Sequence, residues 1–313
     1  EWMYIRICKV YFKQVMNMKK KTIGIIALGA FLLLAGCSSK GEVKRDAHGR
    51  EVLSGYITLS GAFALYPLAI QWADEFHRLH PEVDIDISAG GAGKGITDVL
   101  ADQVDIAMVS RELKPQEKER GAFAFAVAKD AVVATVNVNN PIYKELLKTG
   151  LSKQQAQEIW EGKTKLNVYT RSDACGAAET WAAFLGKKQE DLKGTGVFGD
   201  PGVAETLQKD VNGIGFNNIG YAYHDKTHKP TKGIAIVPID VNGNGKLDEE
   251  EKFYGTLDEL MEAIAKGKYP APPARNLYLV TAGKPKNPVV VEFLKYVRTK
   301  GQRLNAPAGF VHI

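Results

Sequence analysis

The first third of the chain alternates between short apolar strands and amphipathic helices. Residues 55–60 are rich in β-branched and aromatic side chains, which is typical of a strand. In residues 65–80 the apolar side chains recur at spacings of three and four, as on one face of a helix. The next predicted elements are a strand at 83–88, a helix at 96–101, a strand at 104–109 and a helix at 115–120. This alternation predicts an α/β fold with parallel strands.

The rest of the chain continues the pattern with longer apolar runs. Residues 122–137 form two such runs, which are separated by Lys129 and Asp130. Further along, the pattern predicts helices near 143–147, 153–160, 203–210 and 288–300, and strands at 166–170 and 277–281. The α/β character therefore extends over the whole chain after its first 50 residues.

Four times a predicted strand ends in a turn of small or polar residues, after which a helix begins. The turns are residues 61–64, 90–95, 110–114 and 174–177. Ligands of open α/β sheets bind at the carboxyl ends of the strands. A helix N-terminus presents unpaired N–H groups and the positive end of the helix dipole, and both favour an anion. Four such turns at one edge of a sheet would make an anion site largely from backbone groups.

The last of these turns follows Arg171, whose planar guanidinium suits an oxyanion. Asp173 can hold this guanidinium in place, and Arg111 can add a second cation or brace an acidic neighbour. The candidate anion-binding residues are Ala62, Phe63, Ala64, Ala92, Gly93, Ser110, Arg111, Arg171, Asp173, Cys175, Gly176 and Ala177. The sequence thus predicts an anion site centred on Arg171.

The distribution of charge argues against one class of function. The chain of 313 residues carries a formal net charge of +5, from 41 basic and 36 acidic side chains. Six basic side chains and Glu1 lie within residues 1–36, which leaves 35 of each sign in residues 37–313. Because residues 37–313 have no basic excess, the charge gives no support to nucleic-acid binding.

Residues 18–36 have the order of a bacterial lipoprotein signal peptide. Three lysines follow Met18, an apolar run of 13 residues comes next, and Leu-Ala-Gly-Cys ends at Cys37. The apolar run is too short to span a bilayer comfortably. We expect cleavage before Cys37 and acylation of its thiol. The protein is therefore expected to be exported and lipid-anchored, at the outer face of the cytoplasmic membrane or in the periplasm.

Residues 240–251 match the twelve-residue loop that binds calcium in many proteins. Asp, Asn and Asn occupy the first, third and fifth positions, glycine the sixth and glutamate the twelfth. The predicted ligands are Asp240, Asn242, Asn244, the carbonyl of Lys246, Asp248 and Glu251. These hard oxygen ligands suit a structural calcium ion, and the alternative is an acidic Asn-Gly hairpin without an ion.

Taken in order, the four turns resemble those of the periplasmic phosphate-binding protein of ABC transporters, the PstS family. Ser-Gly-Ala-Phe-Ala-Leu-Tyr-Pro at 60–67 resembles the first loop of that family, and Gly-Gly-Ala-Gly-Lys-Gly-Ile at 90–96 resembles the second. Asp-Ile-Ala-Met-Val-Ser-Arg at 105–111 resembles the third, and Arg-Ser-Asp-Ala-Cys-Gly-Ala at 171–177 resembles the arginine loop. The resemblance covers about residues 52–313. It implies a two-lobed periplasmic-binding-protein fold of type II, in which each lobe is a mixed sheet flanked by helices.

The resemblance also implies a function and a division of the chain. It implies a monomer, not an enzyme, that captures an oxyanion such as inorganic phosphate between its lobes and delivers it to an ABC permease. The implied segments are an upstream extension at 1–17, a tether at 37–52, a first lobe from 53–134 and 229–313, and a second lobe from 135–228. The second of the two apolar runs in residues 122–137 is expected to cross between the lobes, and strand 277–281 to pair with the first crossing strand.

The chain departs from the family where side-chain hydroxyls are usual. Those positions hold Ala62, Ala64, Ala92, Cys175 and Ala177. Backbone donors survive this change and hydroxyl donors do not, so molybdate, tungstate and sulfate stay open as alternatives to phosphate. Two other classes also stay open. One is a thiol enzyme, because Cys175 lies near an arginine and a helix start. The other is an exported calcium-dependent binding or adhesion module.

Overall fold

A computed structural model describes residues 41–313. The extension at 1–17, the signal peptide at 18–36 and the lipid site at Cys37 lie outside the described residues. The strands are β1 Glu42–Arg45, β2 Glu51–Gly61, β3 Val83–Ala89, β4 Ile106–Val109, β5 Ala122–Asn137, β6 Asn167–Arg171, β7 Thr195–Val197, β8 Gly213–Asn218, β9 Ile234–Val237 and β10 Ala274–Ala282. The α-helices are α1 Tyr66–Leu79, α2 Ala92–Leu100, α3 Pro115–Glu119, α4 Tyr143–Thr149, α5 Lys153–Trp160, α6 Gly176–Phe184, α7 Gly199–Lys209, α8 Ile219–Ala222, α9 Leu257–Ala265 and α10 Pro288–Val297.

The first lobe is built on a mixed sheet with the strand order β3-β2-β4-β10-β5. Strand β2 is parallel to β3 and β4, whereas β10 is antiparallel to β4 and to β5. The apolar face of α1 is buried in this lobe, where the Phe76 ring packs edge-on against Phe293 of α10 at 5.2 Å. The parallel strands β2, β3 and β4 all end at the edge from which the first three predicted turns emerge.

The second lobe has its own mixed sheet, with the order β9-β5-β8-β6-β7. Strands β8 and β9 flank the second half of β5 and are antiparallel to it, while β6 is parallel to β8 and β7. Its core contains a cluster of large rings, in which Trp181 of α6 lies 5.1 Å from Trp160 and 5.9 Å from Phe216. The predicted α/β fold, with two lobes that are each a mixed sheet flanked by helices, is confirmed.

Strands β5 and β10 connect the lobes. In β5, Val127 and Ala128 belong to the first core and residues 131–136 to the second. In β10, Ala274 packs against the second core and Leu277 lies in the first. The crossing strand is thus the whole of β5, whose second-lobe half is the predicted second run, and the strand expected at 277–281 lies within β10 and pairs with β5.

Two predicted boundaries differ from the structure. The second lobe continues beyond residue 228, because β9 pairs with the second-lobe half of β5 and residues such as Leu260 and Tyr269 are buried in the second core. The segment 229–273 therefore belongs to the second lobe. The predicted tether at 37–52 contains strand β1, which pairs with residues 51–54 of β2. Among the described residues, no helix combines the length and the apolar character needed to cross a membrane.

Candidate anion-binding site

The four predicted turns meet between the lobes. We call residues 171–177 the arginine loop; it belongs to the second lobe, whereas the other three turns belong to the first. The Phe63 ring lies 5.4 Å from the guanidinium carbon of Arg171, and the Gly93 N–H donates to the Ala174 carbonyl at 3.0 Å. A Cβ added at Gly176 would clash with the carbonyl and hydroxyl oxygens of Ser110, so these two backbones are in direct contact. Every turn of the first lobe therefore touches the arginine loop.

Cys175 determines where helix α6 begins. It occupies the N-cap position with extended backbone angles, and its Sγ accepts a hydrogen bond from the Ala178 N–H at 3.4 Å. The N–H groups of Gly176 and Ala177, in the first turn, have no acceptor inside the helix. Helix α6 thus starts within the predicted turn at residues 174–177. Its N-terminus lies at the junction of the lobes, as the sequence predicts.

The Arg171 guanidinium is bound by two buried carboxylates. Its Nε and Nη2 donate to the Asp173 oxygens at 2.8 and 2.7 Å, and its Nη1 donates to Asp200 Oδ2 at 2.6 Å. The Arg171 side chain is 0% exposed. Burial lowers its pKa, but attraction by Asp200 and Asp173 outweighs burial and raises the pKa of Arg171 above its ordinary value. Arginine carries five N–H donors, so two are left for a ligand.

The sequence reasoning misses Asp200. This residue lies in the first turn of α7, where a carboxylate interacts favourably with the helix dipole. Its oxygens also accept hydrogen bonds from the backbone N–H and the Nδ2 of Asn218, at 2.8 and 2.7 Å. The only local signal is Gly-Asp-Pro at 199–201, which is typical of a helix start. Because Arg171 neutralises just one of its two carboxylate partners, the three side chains together carry a net negative charge, and any anion bound here would need the backbone N–H groups as well.

Arg111 forms ion pairs with acidic neighbours, which is one of the two roles that the sequence leaves open for it. Its Nη atoms donate to the two Glu117 oxygens at 2.8 and 2.7 Å, and its Nε lies 2.9 Å from Glu179 of α6. Lys114 also reaches Glu179, at 3.0 Å. Since Arg111 and Lys114 belong to the first lobe and Glu179 to the second, the two ion pairs of Glu179 fasten the lobes together. Tyr221 of the second lobe adds a hydrogen bond to the Phe63 carbonyl at 3.1 Å.

The methyl groups at the hydroxyl positions are all buried. Their exposed fractions are 2% for Ala62, 3% for Ala64, 0% for Ala92 and 1% for Ala177. The Gly93 N–H, which the sequence assigns to the anion, is already engaged by Ala174 across the cleft. The groups that remain directed to a ligand by position are therefore the first-turn N–H groups and the spare guanidinium donors.

A wide groove opens beside the arginine loop. It has a volume of about 830 Å³ and is lined by Arg171, Thr170 and Ala174 together with Lys114, Lys187, Lys188, Glu179 and Glu190. Lysines at such an opening attract anions from solution. The groove therefore brings solvent to the edge of the arginine loop, while the Arg171 side chain itself stays buried.

Cys175 is poorly suited to nucleophilic chemistry. It is 4% exposed, and burial raises the pKa of its thiol to about 12, against the opposing attraction of Arg171. The thiol is therefore protonated at neutral pH, whereas a nucleophile needs the thiolate. In this position the sulfur serves as a helix cap.

The segment 240–251 forms a compact loop held by its own side chains. Asp240 accepts the N–H groups of Gly243 and Gly245 at 2.7 and 2.9 Å, and Glu251 accepts those of Val241 and Asp248 at 2.8 and 3.1 Å. Asp240 is 5% exposed and Glu251 is 6% exposed. The Asn242 and Asn244 amides donate to Asp248. Within residues 41–313 no group of three or more His, Cys, Asp or Glu side chains is arranged to hold a metal.

A family model for the PBP superfamily domain matches residues 46–300. The chain belongs to the PBP superfamily. The phosphate-binding protein PstS of Bacillus subtilis is 27% identical over 224 residues, which is 66% of this chain and 73% of that protein. The PstS of Staphylococcus epidermidis is 24% identical over 94% of this chain and 89% of its own length.

A crystal structure from Clostridium perfringens has the same fold as this superfamily member. It is described as a phosphate ABC transporter substrate-binding protein with bound phosphate. The TM-score is 0.68 at 20% identity, over 83% of this chain and 100% of that chain. At this identity the likeness establishes the fold, and the two-lobed architecture derived above agrees with it.

Proposed function

We propose that the protein is the substrate-binding component of an ABC transporter, which captures inorganic phosphate between its lobes and delivers it to the permease. The meeting of the three first-lobe turns with the arginine loop carries this proposal, because it places helix N-termini from both lobes beside a buried guanidinium. The PstS relatives, which are named phosphate-binding proteins, support the choice of phosphate.

The geometry supports capture by closure. The first-turn N–H groups of α6 and the two spare Arg171 donors provide hydrogen bonds that strengthen in a site without water. These groups belong to the second lobe, and the first-lobe turns that touch the arginine loop cover them, so an anion is enclosed when the lobes come together. The ion pairs of Glu179 with Arg111 and Lys114 then hold the closed form, and release requires that they separate.

A second oxyanion is favoured by one specific observation. Ala62, Ala64, Ala92 and Ala177 are buried methyl groups where hydroxyl donors are usual in the family. Each lost hydrogen bond removes about 0.5–1.5 kcal/mol. Weaker phosphate binding, or selection of a larger anion such as molybdate or tungstate, would follow from this loss.

Isothermal titration calorimetry against phosphate, sulfate, molybdate and tungstate tests the proposal. We expect phosphate to bind more tightly than millimolar and Arg171→Ala to abolish binding. Arg303→Ala, which removes an exposed arginine of the first lobe, is the control and should bind as the wild type does. If none of the four anions binds more tightly than millimolar, or if Arg171→Ala binds unchanged, the assignment of this site is wrong.

We also propose that Cys37 carries the lipid anchor and that the protein is a monomer held at the outer face of the cytoplasmic membrane or in the periplasm. The support is the lysine, apolar and Leu-Ala-Gly-Cys order of residues 19–37. Cys37→Ala should remain unprocessed and unlabelled by a radioactive fatty acid, while the control Ser38→Ala should be labelled normally. Normal labelling of Cys37→Ala would exclude this anchor.

We propose in addition one structural calcium ion, bound by Asp240, Asn242, Asn244, the Lys246 carbonyl and Glu251, with Asp248 direct or through water. The support is the sequence pattern of residues 240–251 and the burial of the carboxylates at the first and last positions of this loop, Asp240 and Glu251. An ion that binds only the folded state stabilises it by about 2.7 kcal/mol at one hundred times its Kd.

Melting curves with calcium and with a chelator test the calcium proposal. The wild type should melt at a higher temperature with calcium, and Glu251→Gln should lose the difference because the twelfth position supplies the last carboxylate. Glu250→Gln, at the exposed neighbouring position, should keep it. Identical wild-type curves in calcium and chelator would rule out a meaningful site.

A further inference from the structure

A buried ion pair lies on the two strands that connect the lobes. Arg275 of β10 is the direct cross-strand partner of Asp130 of β5. The Arg275 Nε and Nη2 donate to the two Asp130 oxygens at 2.8 and 3.1 Å. The side chains are 7% and 1% exposed. The pair thus sits where the first core gives way to the second, at the hinge of the molecule.

Arg275 extends from the hinge into the second lobe. Its Nη1 donates to Thr180 Oγ1 at 3.1 Å, and its Nη2 donates to Asn218 Oδ1. Thr180 lies on α6, the helix whose first turn belongs to the arginine loop. One arginine therefore fixes both the helix of the anion site and the end of strand β8.

From Asn218 the contacts continue to the anion site. Asn218 Nδ2 donates to Asp200 Oδ2 at 2.7 Å, and Arg171 Nη1 donates to the same oxygen at 2.6 Å. The hinge pair and the site arginine are thus joined through one amide and one carboxylate. Charges of opposite sign alternate along this chain, so the loss of one member leaves its neighbours uncompensated in a buried environment.

We propose that Arg275 is a positioning residue for anion capture, which ties the orientation of Arg171 to the geometry of the hinge strands. The inference rests on the function proposed above and adds a residue that lies outside the candidate site. The links are present in the closed form, in which Gly93 and Tyr221 make hydrogen bonds across the cleft. Loss of the Arg275 contacts should therefore shorten the lifetime of the closed complex. The rate at which the anion associates with the open cleft should be unaffected.

A double variant provides the test, because Arg275→Met alone would leave Asp130 buried without a partner and disturb folding. Asp130→Asn with Arg275→Met removes both charges together, a change that proteins often tolerate. Stopped-flow measurements of phosphate association and dissociation would be made on the complete mature protein. We expect dissociation to accelerate by about tenfold or more, a typical size for coupling between sites. Association should change by less than about twofold.

The matched control is Glu75→Gln with Arg303→Met, which removes an ion pair within the first lobe and away from this chain of contacts. Both of its rate constants should equal those of the wild type. A merely structural role for Arg275 would lower the urea midpoint of the test variant without changing its dissociation rate, and that result would overturn the inference. If the wild type itself binds no phosphate, the proposed function falls and this inference falls with it.

Discussion

Removal of the Arg171 charge should destabilise the fold as well as the site. In Arg171→Met, the Asp173 and Asp200 carboxylates stay buried and lose three hydrogen bonds. Asp200 keeps the two donors of Asn218, while Asp173 keeps the Gly199 N–H at 3.2 Å. Removal of one partner from a buried ion pair costs about 3–5 kcal/mol. A loss of that size is a large part of the roughly 5–15 kcal/mol by which proteins are stable.

The loss can be measured by urea denaturation followed through tryptophan fluorescence, since Trp181 is fully buried on α6 beside the arginine loop. In thermal unfolding it corresponds to a decrease in Tm of about 6–20 °C, at about 2–4 °C per kcal/mol for a protein of this size class. The variant should also fail to bind phosphate at temperatures where it is still folded.

A triple variant separates the charge from the shape of the side chains. Arg171→Met with Asp173→Asn and Asp200→Asn removes all three charges, and it should recover most of the lost stability because no carboxylate is left unpaired. The reasoning would be refuted if Arg171→Met lost less than about 1 kcal/mol. It would also be refuted if the triple variant were as unstable as the single one.

Three further predictions concern the same region. Gly176→Ala should weaken phosphate binding measured by calorimetry without lowering the urea midpoint, because the new methyl group keeps the Ser110 backbone at a distance; unchanged affinity would contradict this. The Cys175 thiol should react with Ellman's reagent at neutral pH only after denaturation, since burial raises its pKa to about 12; rapid labelling of the native protein would disagree. Burial raises the pKa of Glu117, but the hydrogen bonds and charge of Arg111 outweigh burial and hold this pKa below its ordinary value, so the stability from this pair is present above that ordinary value and is lost as the pH falls through the lower, folded-state pKa. Urea midpoints measured across that range should decrease less in Glu117→Gln than in the wild type.

Local patterns in the sequence predict the first lobe well. The strand predicted at 83–88 is Val83–Ala89, and the helix predicted at 65–80 is Tyr66–Leu79. Both follow from the side chains of one continuous segment. The sequence pattern does not predict strand β1. All four of its residues are exposed and only Val43 is apolar, so no alternation of apolar and polar side chains marks this strand. The sequence pattern also does not show that residues 229–273 belong to the second lobe. That assignment depends on the pairing of β9 with β5, a strand about 100 residues earlier.

In the candidate site, too, the local segments can be predicted from the sequence and the long-range contacts cannot. The four turns and Arg171 are visible in the sequence, because each is a short segment with its own chemistry. Asp200 is not visible, since it lies 29 residues from Arg171 and meets it through the packing of α7 against β6 and β8. The engagement of Gly93 by Ala174 is hidden for the same reason, because the two loops belong to different lobes.

Strand β5 has a practical consequence for anyone who builds a sensor from this protein. Because its two halves complete two different sheets, a reporter inserted at residues 128–131 would damage both lobes at once. Fluorophores are better attached at positions whose side chains are exposed and make no contact that the fold needs. Leu79 at the end of α1 and Val211 before β8 are 51% and 47% exposed and lie on opposite lobes. A fluorescent pair at these two positions would report the opening of the cleft while the shared strand stays intact.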